Sequence, residues 1–358
     1  MIDGGSNGSR ERIVTMELKE KLRRLCESYG VSGEEGETAQ IAAEMLKEYT
    51  DDVIIDDCHN VIANVYDAGE NAPRVMLDAH LDEIGMVVTY ITDDGFLKVA
   101  PCGGLDMRLL LAQEVVIHGR EKITGIVGTK PPHLTAEEER KKVPKIDDIS
   151  IDTGYATDKL REIVSLGDRV TLKGEFTELR NGRVCSKSLD DRACIASILH
   201  ALELLKGKKL GCSLTAVFSS QEEVGGTGAA VATYKVNPDA AIVVDVSFAH
   251  TADADEKKCG KMGKGPMIGI APSLNRGMAD EMIALSKEKE YPYQIEVIQG
   301  STTGTNADEV TITRGGVRTE VVSVPLRYMH TPIEVVEMAD VEAVGRLIAD
   351  YLLSHDWQ

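Results

Sequence analysis

The sequence predicts an α/β fold with a small all-β module inserted into it. Three observations lead there. Up to about residue 82, and again from 177 onward, segments with helical spacing of apolar residues alternate with short apolar runs that read as buried strands. Between 83 and 176 the texture changes to short β-branched runs separated by turn signals such as Asp94-Gly95 and Gly167-Asp168. Four strand-like runs outside the module also empty into His, Asp or Glu. The expected division is a flexible tail over 1–14, a discontinuous main domain over 15–82 and 177–358, and an inserted β domain over 83–176.

The tail is rich in Gly, Ser and Arg and lacks an apolar signal core. A first helix is expected over 16–28, with Leu18, Leu22 and Leu25 on one face and Gly30 beyond its end. Ser32 and Glu35 have capping-box spacing ahead of a second helix over 37–49. The runs 53–55 and 61–65 read as a strand pair turning about Asp57, and 74–80 as a buried strand whose carboxyl end delivers His80. Inside the module, strands are expected over 87–91, 114–118, 125–127 and 169–172, with a charged, exposed loop from Pro131 to Pro144. The α/β texture then returns. A helix over 191–205 precedes a strand over 214–219, which is followed by Glu222-Glu223. A strand over 241–244 ends in Asp245, a helix covers 280–289, and a strand over 317–324 leads through Pro325 and Arg327 to His330. An amphipathic helix over 341–353 closes the chain.

Composition narrows the function classes. Of 358 residues, 42% are hydrophobic, enough for a sizeable core, and 4% are aromatic, so that core is built from Val, Ile, Leu, Ala and Met. A formal charge of -19 repels nucleic acid and anionic membranes. Cys26, Cys58, Cys102, Cys185, Cys194, Cys212 and Cys259 are odd in number and form no Cys-x-x-Cys pair, which fits free thiols in a cytoplasmic protein. No apolar run has the length of a membrane span.

The chemistry-bearing residues are His80 with Asp82, Glu222 with Glu223, Asp245 and His330, joined by Asp190-Asp191 at the mouth of a helix. In open α/β sheets, ligands bind beyond the carboxyl ends of the strands, so residues far apart in sequence can converge there. Two imidazoles with several carboxylates form a mixed N/O donor set suited to zinc, cobalt or manganese. A carboxylate shared by two ions leaves room for a water or hydroxide between them, and a further carboxylate must take its proton. Glu222 and Glu223 can divide these roles, and Asp82 is placed to orient His80. Each residue also has a structural explanation by itself: Glu-Glu is a common surface pair, and Asp-Asp-Arg before a helix is ordinarily a cap. The strand context favours the metal site.

The stretches Leu77-Asp78-Ala79-His80-Leu81-Asp82-Glu83-Ile84-Gly85, Ser188-Leu189-Asp190-Asp191-Arg192, Ser220-Gln221-Glu222-Glu223-Val224-Gly225, Val243-Val244-Asp245-Val246 and Pro325-Leu326-Arg327-Tyr328-Met329-His330-Thr331-Pro332 resemble those of the tetrahedral (TET) aminopeptidases. That group is metallopeptidase family forty-two, with glutamyl and deblocking aminopeptidases and some relatives labelled cellulase or endoglucanase. The inserted stretch with Val143-Pro144-Lys145-Ile146-Asp147-Asp148 also looks familial. The resemblance implies a mixed-sheet, zinc-exopeptidase-like catalytic domain with helices on both faces. It implies that the insert is a PDZ-like dimerisation domain and that dimers assemble into a hollow dodecamer. It further implies two divalent ions per subunit (zinc or cobalt, manganese being compatible) and hydrolysis of N-terminal residues from short peptides by a metal-bridging hydroxide. Asp190 would bridge the ions, His80 and Asp245 would complete one position, and Glu223 and His330 the other. Glu222 would be the general base, Asp82 would support His80, and the Asp190–Asp191 peptide would be cis. One departure is Asn306, where many relatives carry Asp; it bears on how the substrate's amine or first side chain is held.

Two other readings compete. Glycoside hydrolysis needs paired carboxylates but leaves the histidines and Asp190 idle, and the single Trp357 at the C-terminus offers no sugar-stacking cleft. A metal-binding scaffold without turnover would suit an incomplete ligand set. Among the other histidines, His200 reads as packing, while His59, His118, His250 and His355 show no partner pattern. His133 sits in the exposed loop, where it can reach a neighbouring site in an oligomer.

Overall fold

In the computed structural model, which describes residues 6–357, the runs richest in Val, Ile and Ala lie side by side at the centre of a mixed sheet. Among the described residues the strands are β1 (Val53–Ile55), β2 (Val61–Tyr66), β3 (Arg74–His80), β4 (Gly85–Ile91), β5 (Phe96–Cys102), β6 (Glu114–His118), β7 (Lys122–Val127), β8 (Ile151–Asp152), β9 (Arg169–Leu172), β10 (Thr177–Glu178), β11 (Arg183–Ser186), β12 (Ser213–Ser219), β13 (Ala240–Phe248), β14 (Met267–Ile270), β15 (Gln294–Val297), β16 (Arg318–Leu326) and β17 (Glu334–Glu337). The helices are α1 (Ser6–Glu27), α2 (Gly36–Leu46), α3 (Glu137–Arg140), α4 (Thr157–Ile163), α5 (Leu189–Leu205), α6 (Thr227–Val236), α7 (Arg276–Glu288), α8 (Ala307–Ile312) and α9 (Met338–Ser354).

The large sheet has the order β1-β2-β12-β3-β13-β16-β14-β15. Its central strands β12, β3, β13 and β16 are parallel and buried almost throughout, as expected of strands covered on both faces. Along β3, Val75, Leu77 and Ala79 face a core with α1, α2, α5, α7 and α9, while Met76 faces α6 and α8. Leu22 and Leu25 of α1 are fully buried there, each contributing about 1.5–3 kcal/mol by leaving water. Strands β4, β5, β8, β7, β6 and β9 close into a barrel between β3 and β10, with its own core around Met86, Ile117 and Val170. A three-stranded sheet, β10-β11-β17, completes the architecture.

Several expectations change. The helix expected from residue 16 begins at Ser6, because each residue added to an anchored helix gains a backbone bond. Residues 1–5 of the expected tail lie outside the described residues. Ser32 and Glu35 form no capping box: Ser32 Oγ donates to Asp82 Oδ2, and the Glu35 side chain caps nothing. The strand expected to end at Asp245 continues to Phe248, since β16 supplies paired neighbours along its whole length. The charged loop after Pro131 contains a single-turn helix over Pro132–Leu134 and the short α3.

Candidate metal centre

The carboxyl ends of the four parallel strands share one edge of the sheet, and that edge collects the residues expected at the metal site. His80 closes β3, Asp82 follows two residues later, Glu222 and Glu223 follow β12, Asp245 lies within β13, and His330 follows β16. Asp190 enters at the start of α5, where residues 190 and 191 are not yet helical, and the Asp190–Asp191 peptide is cis as expected.

Asp190 sits between the two imidazoles. Its Oδ1 is 3.1 Å from His80 Nε2, and its Oδ2 is 3.5 Å from His330 Nε2. His330 Nε2 is also 3.4 Å from Glu223 Oε2. Donor atoms of His80, Asp190 and Asp245 lie within 4.8 Å of one another, as do those of Asp190, Glu223 and His330. A grouping of His80 with Glu222 and Glu223 overlaps both.

The ring orientations have visible causes. Nδ1 of His80 lies 3.1 Å from the Asp82 carbonyl oxygen, and Nδ1 of His330 lies 2.9 Å from the Gly104 carbonyl oxygen. Donation from Nδ1 to these oxygens leaves each Nε2 free to bind a cation. Gly104 comes from the barrel, and a Cβ there would lie 2.5 Å from His330 Nδ1, so glycine alone permits the approach.

A ring of buried carboxylates fixes the backbone beneath the cluster. Asp82 accepts the N–H groups of Glu222 and Glu223 at 3.0 and 3.1 Å, so it positions both glutamates as well as His80. Asp191 Oδ2 accepts the His80 N–H at 3.1 Å. Glu334 accepts the Asp190 N–H at 3.0 Å and the His330 N–H at 2.9 Å. Sequence reading missed Glu334; the available signal was an acid four residues beyond His330. Ser188, Gln221, Tyr328 and His330 all have left-handed φ, between 54° and 62°, although none is glycine. Their concentration beside the cluster marks backbone held for a site rather than for local comfort.

The electrostatics are those of crowded acids. Burial, reinforced by the Asp190 charge, pushes the Glu223 carboxyl well above the usual range. Burial and the Asp191 charge do the same to Asp245. Burial raises Glu222 to about 7, partly offset by His80. Burial opposes charge on His80, but contacts with Asp190 and Asp82 overcome it and hold the imidazole well above its ordinary value. This mixture of ring nitrogens and mutually repelling carboxylates fits divalent cations, which would relieve the repulsion.

Asn306, the departure noted from the sequence, directly precedes α8. It is buried under the sheet edge, with Nδ2 donating to Asp78 Oδ2 at 2.9 Å and to Ser219 Oγ at 2.8 Å. Of the remaining histidines, His200 is buried against Gly345, His118 stacks on Tyr29, His355 pairs with Glu281, and His133 is exposed.

The fold and this edge define an α/β protein with a site able to hold divalent metal. The model of the M42 glutamyl aminopeptidase family matches residues 60–347, and the chain belongs to that family of peptide hydrolases. It is 36% identical over 337 residues to the lysyl aminopeptidase of Pyrococcus furiosus, covering 92% of this chain and 94% of the relative. Among solved structures, an aminopeptidase from the archaeon Desulfurococcus kamchatkensis superposes with a TM-score of 0.89 at 31% identity, covering 96% of each chain. The TET1 peptidase of Pyrococcus horikoshii, which can assemble into a tetrahedron or a large octahedral shell, gives 0.82 at 29% identity, covering 94% of this chain and all of that one. No helix among the described residues is long and apolar enough to cross a membrane.

Proposed function

We propose that this aminopeptidase removes N-terminal residues from short peptides with a pair of divalent ions, zinc or cobalt, manganese being compatible. Asp190 would be shared between the two ions, with His80 and Asp245 holding one and Glu223 and His330 the other. The observation that carries this reading is the Asp190 carboxylate, one oxygen 3.1 Å from His80 Nε2 and the other 3.5 Å from His330 Nε2. Bound ions lower the pKa of a water and polarise the scissile carbonyl. Glu222, 4.0 Å from His80 Nε2 and more exposed than Glu223, takes the proton of the attacking water and passes it to the leaving amine. Asp82 keeps His80 and both glutamates in place. The barrel serves as a dimerisation domain, a role supported by the exposed apolar side chains of Tyr90 and Ile126, and dimers build a hollow dodecamer.

Chelation of the full-length protein is expected to abolish cleavage of aminoacyl reporters, and zinc or cobalt to restore it. Glu222→Gln should retain both ions by elemental analysis while kcat falls by at least about a hundredfold. Turnover indifferent to chelation, or a fully active Glu222→Gln enzyme, sinks the reading.

A further inference from the structure

A cavity of about 800 Å³ opens from the metal cluster and extends along β13, β15 and β16. Its walls are mixed, and Met267, Ile298 and Val321 belong to their apolar part. Apart from the acids of the cluster itself, the carboxylate that lines it is Glu296 on β15.

The placement of Glu296 runs against the pattern of its strand. Ile295 and Val297 on either side are 51% and 65% exposed, whereas Glu296 points inward. A charge guarding a sheet edge against aggregation would keep its head in water. The Glu296 carboxylate instead accepts the Ser247 hydroxyl and lies within hydrogen-bonding reach of Ser323. These serines tie it to the metal site. Ser323 is the register partner of Asp245, and Ser247 is two residues beyond Asp245 on the same strand face, about 6.6 Å along it. No lysine or arginine forms an ion pair with Glu296 among the described residues. Burial, offset in part by the two serines, pushes its carboxyl upward, so a cation arriving beside it finds an acid short of countercharge.

We propose that Glu296 is a specificity-determining residue that receives the cationic side chain of a substrate's N-terminal lysine or arginine. This rests on the aminopeptidase reading above and names its substrate class. With the substrate's amine and scissile carbonyl at the cluster, an extended lysine arm follows the apolar wall and brings its ammonium to Glu296, the stem buried and the charge paired. Lys257 and Lys258 also line the cavity, but both are exposed, so solvent and salt screen their repulsion of an entering cation.

The test is a set of Lys, Arg, Leu and Glu aminoacyl reporters, turned over by the metal-loaded full-length protein and by Glu296→Gln and Glu296→Lys. The Lys and Arg reporters are expected to exceed Leu and Glu in kcat/KM by about tenfold or more. Glu296→Gln should lower the Lys-to-Leu ratio by at least about tenfold, mainly through KM, and Glu296→Lys should move the preference toward Glu. In calorimetry, wild type should bind L-lysine more tightly than norleucine, and Glu296→Gln should lose that difference. A Lys-to-Leu ratio within about twofold of wild type in Glu296→Gln, or a wild-type preference for Leu or Glu, overturns the assignment of Glu296 alone. Failure to cleave any reporter overturns the aminopeptidase reading together with it.

Discussion

Glu334 shows how much of the site depends on residues that never face the substrate. One carboxylate holds the backbone N–H of Asp190 with one oxygen and that of His330 with the other, so the Asp190 carboxylate and one imidazole share a support. An amide offers a single acceptor oxygen, and its NH2 would confront a second N–H. Glu334→Gln is therefore expected to fold but to bind metal about 10–100-fold more weakly, as measured by chelator competition. Affinity within about twofold of wild type would show that the two backbone segments hold themselves. At this scale, His80, Glu222, Glu223 and His330 could be picked out because each lies at or just past a strand end, close in sequence to the strand that carries it. The bracing contact from Glu334 to Asp190 and that from Asn306 to Asp78 could not be read, because these partners lie 144 and 228 residues apart.

At the scale of elements, β16 does two unlike things. Its carboxyl end leads to His330, while Glu320 near its start is fully buried. Burial pushes the Glu320 carboxyl up to about 9, with only partial relief from the Val321 backbone. The folded chain thus keeps a proton that the unfolded chain releases above its ordinary value of 4.5. Where the unfolded state binds fewer protons, stability falls as pH rises. This contribution is fully present below about 4.5 and is lost on the way to about 9, at up to about 1.4 kcal/mol per pH unit. Glu320→Gln has no such proton, so its melting temperature should gain on wild type between pH 5 and pH 8. Parallel melting curves for the two proteins across that range would remove Glu320 from the account. The strands β3, β12, β13 and β16 were readable along the chain because buried strands are apolar along their length. The extension of β13 past Asp245 was not, since it depends on pairing with β16.

For the whole molecule, the barrel between β3 and β10 matters in two ways. It supplies the Gly104 carbonyl that orients His330, so the cluster at the sheet edge is incomplete without it. Its exposed Ile126 belongs to the surface proposed for dimerisation. Ile126→Glu, which places a charge where an apolar contact is expected, should shift the light-scattering mass toward smaller species while leaving the metal content unchanged. An unchanged mass would direct the search for the dimer surface away from the barrel.

Residue order alone determined the alternation of buried strands and helices, the interruption by a β module, and the donors that cluster at the strand ends. These are local properties: apolar periodicity and the identity of the residues adjoining each strand are written in consecutive positions. Folding alone decided that Asp190 would stand between two imidazoles, that Glu334 would brace it, and that Glu296 would turn inward toward Ser247. Each of those facts depends on chain segments remote in sequence meeting within hydrogen-bonding distance, which parallel strands and the helices between them bring about only once the sheet is assembled.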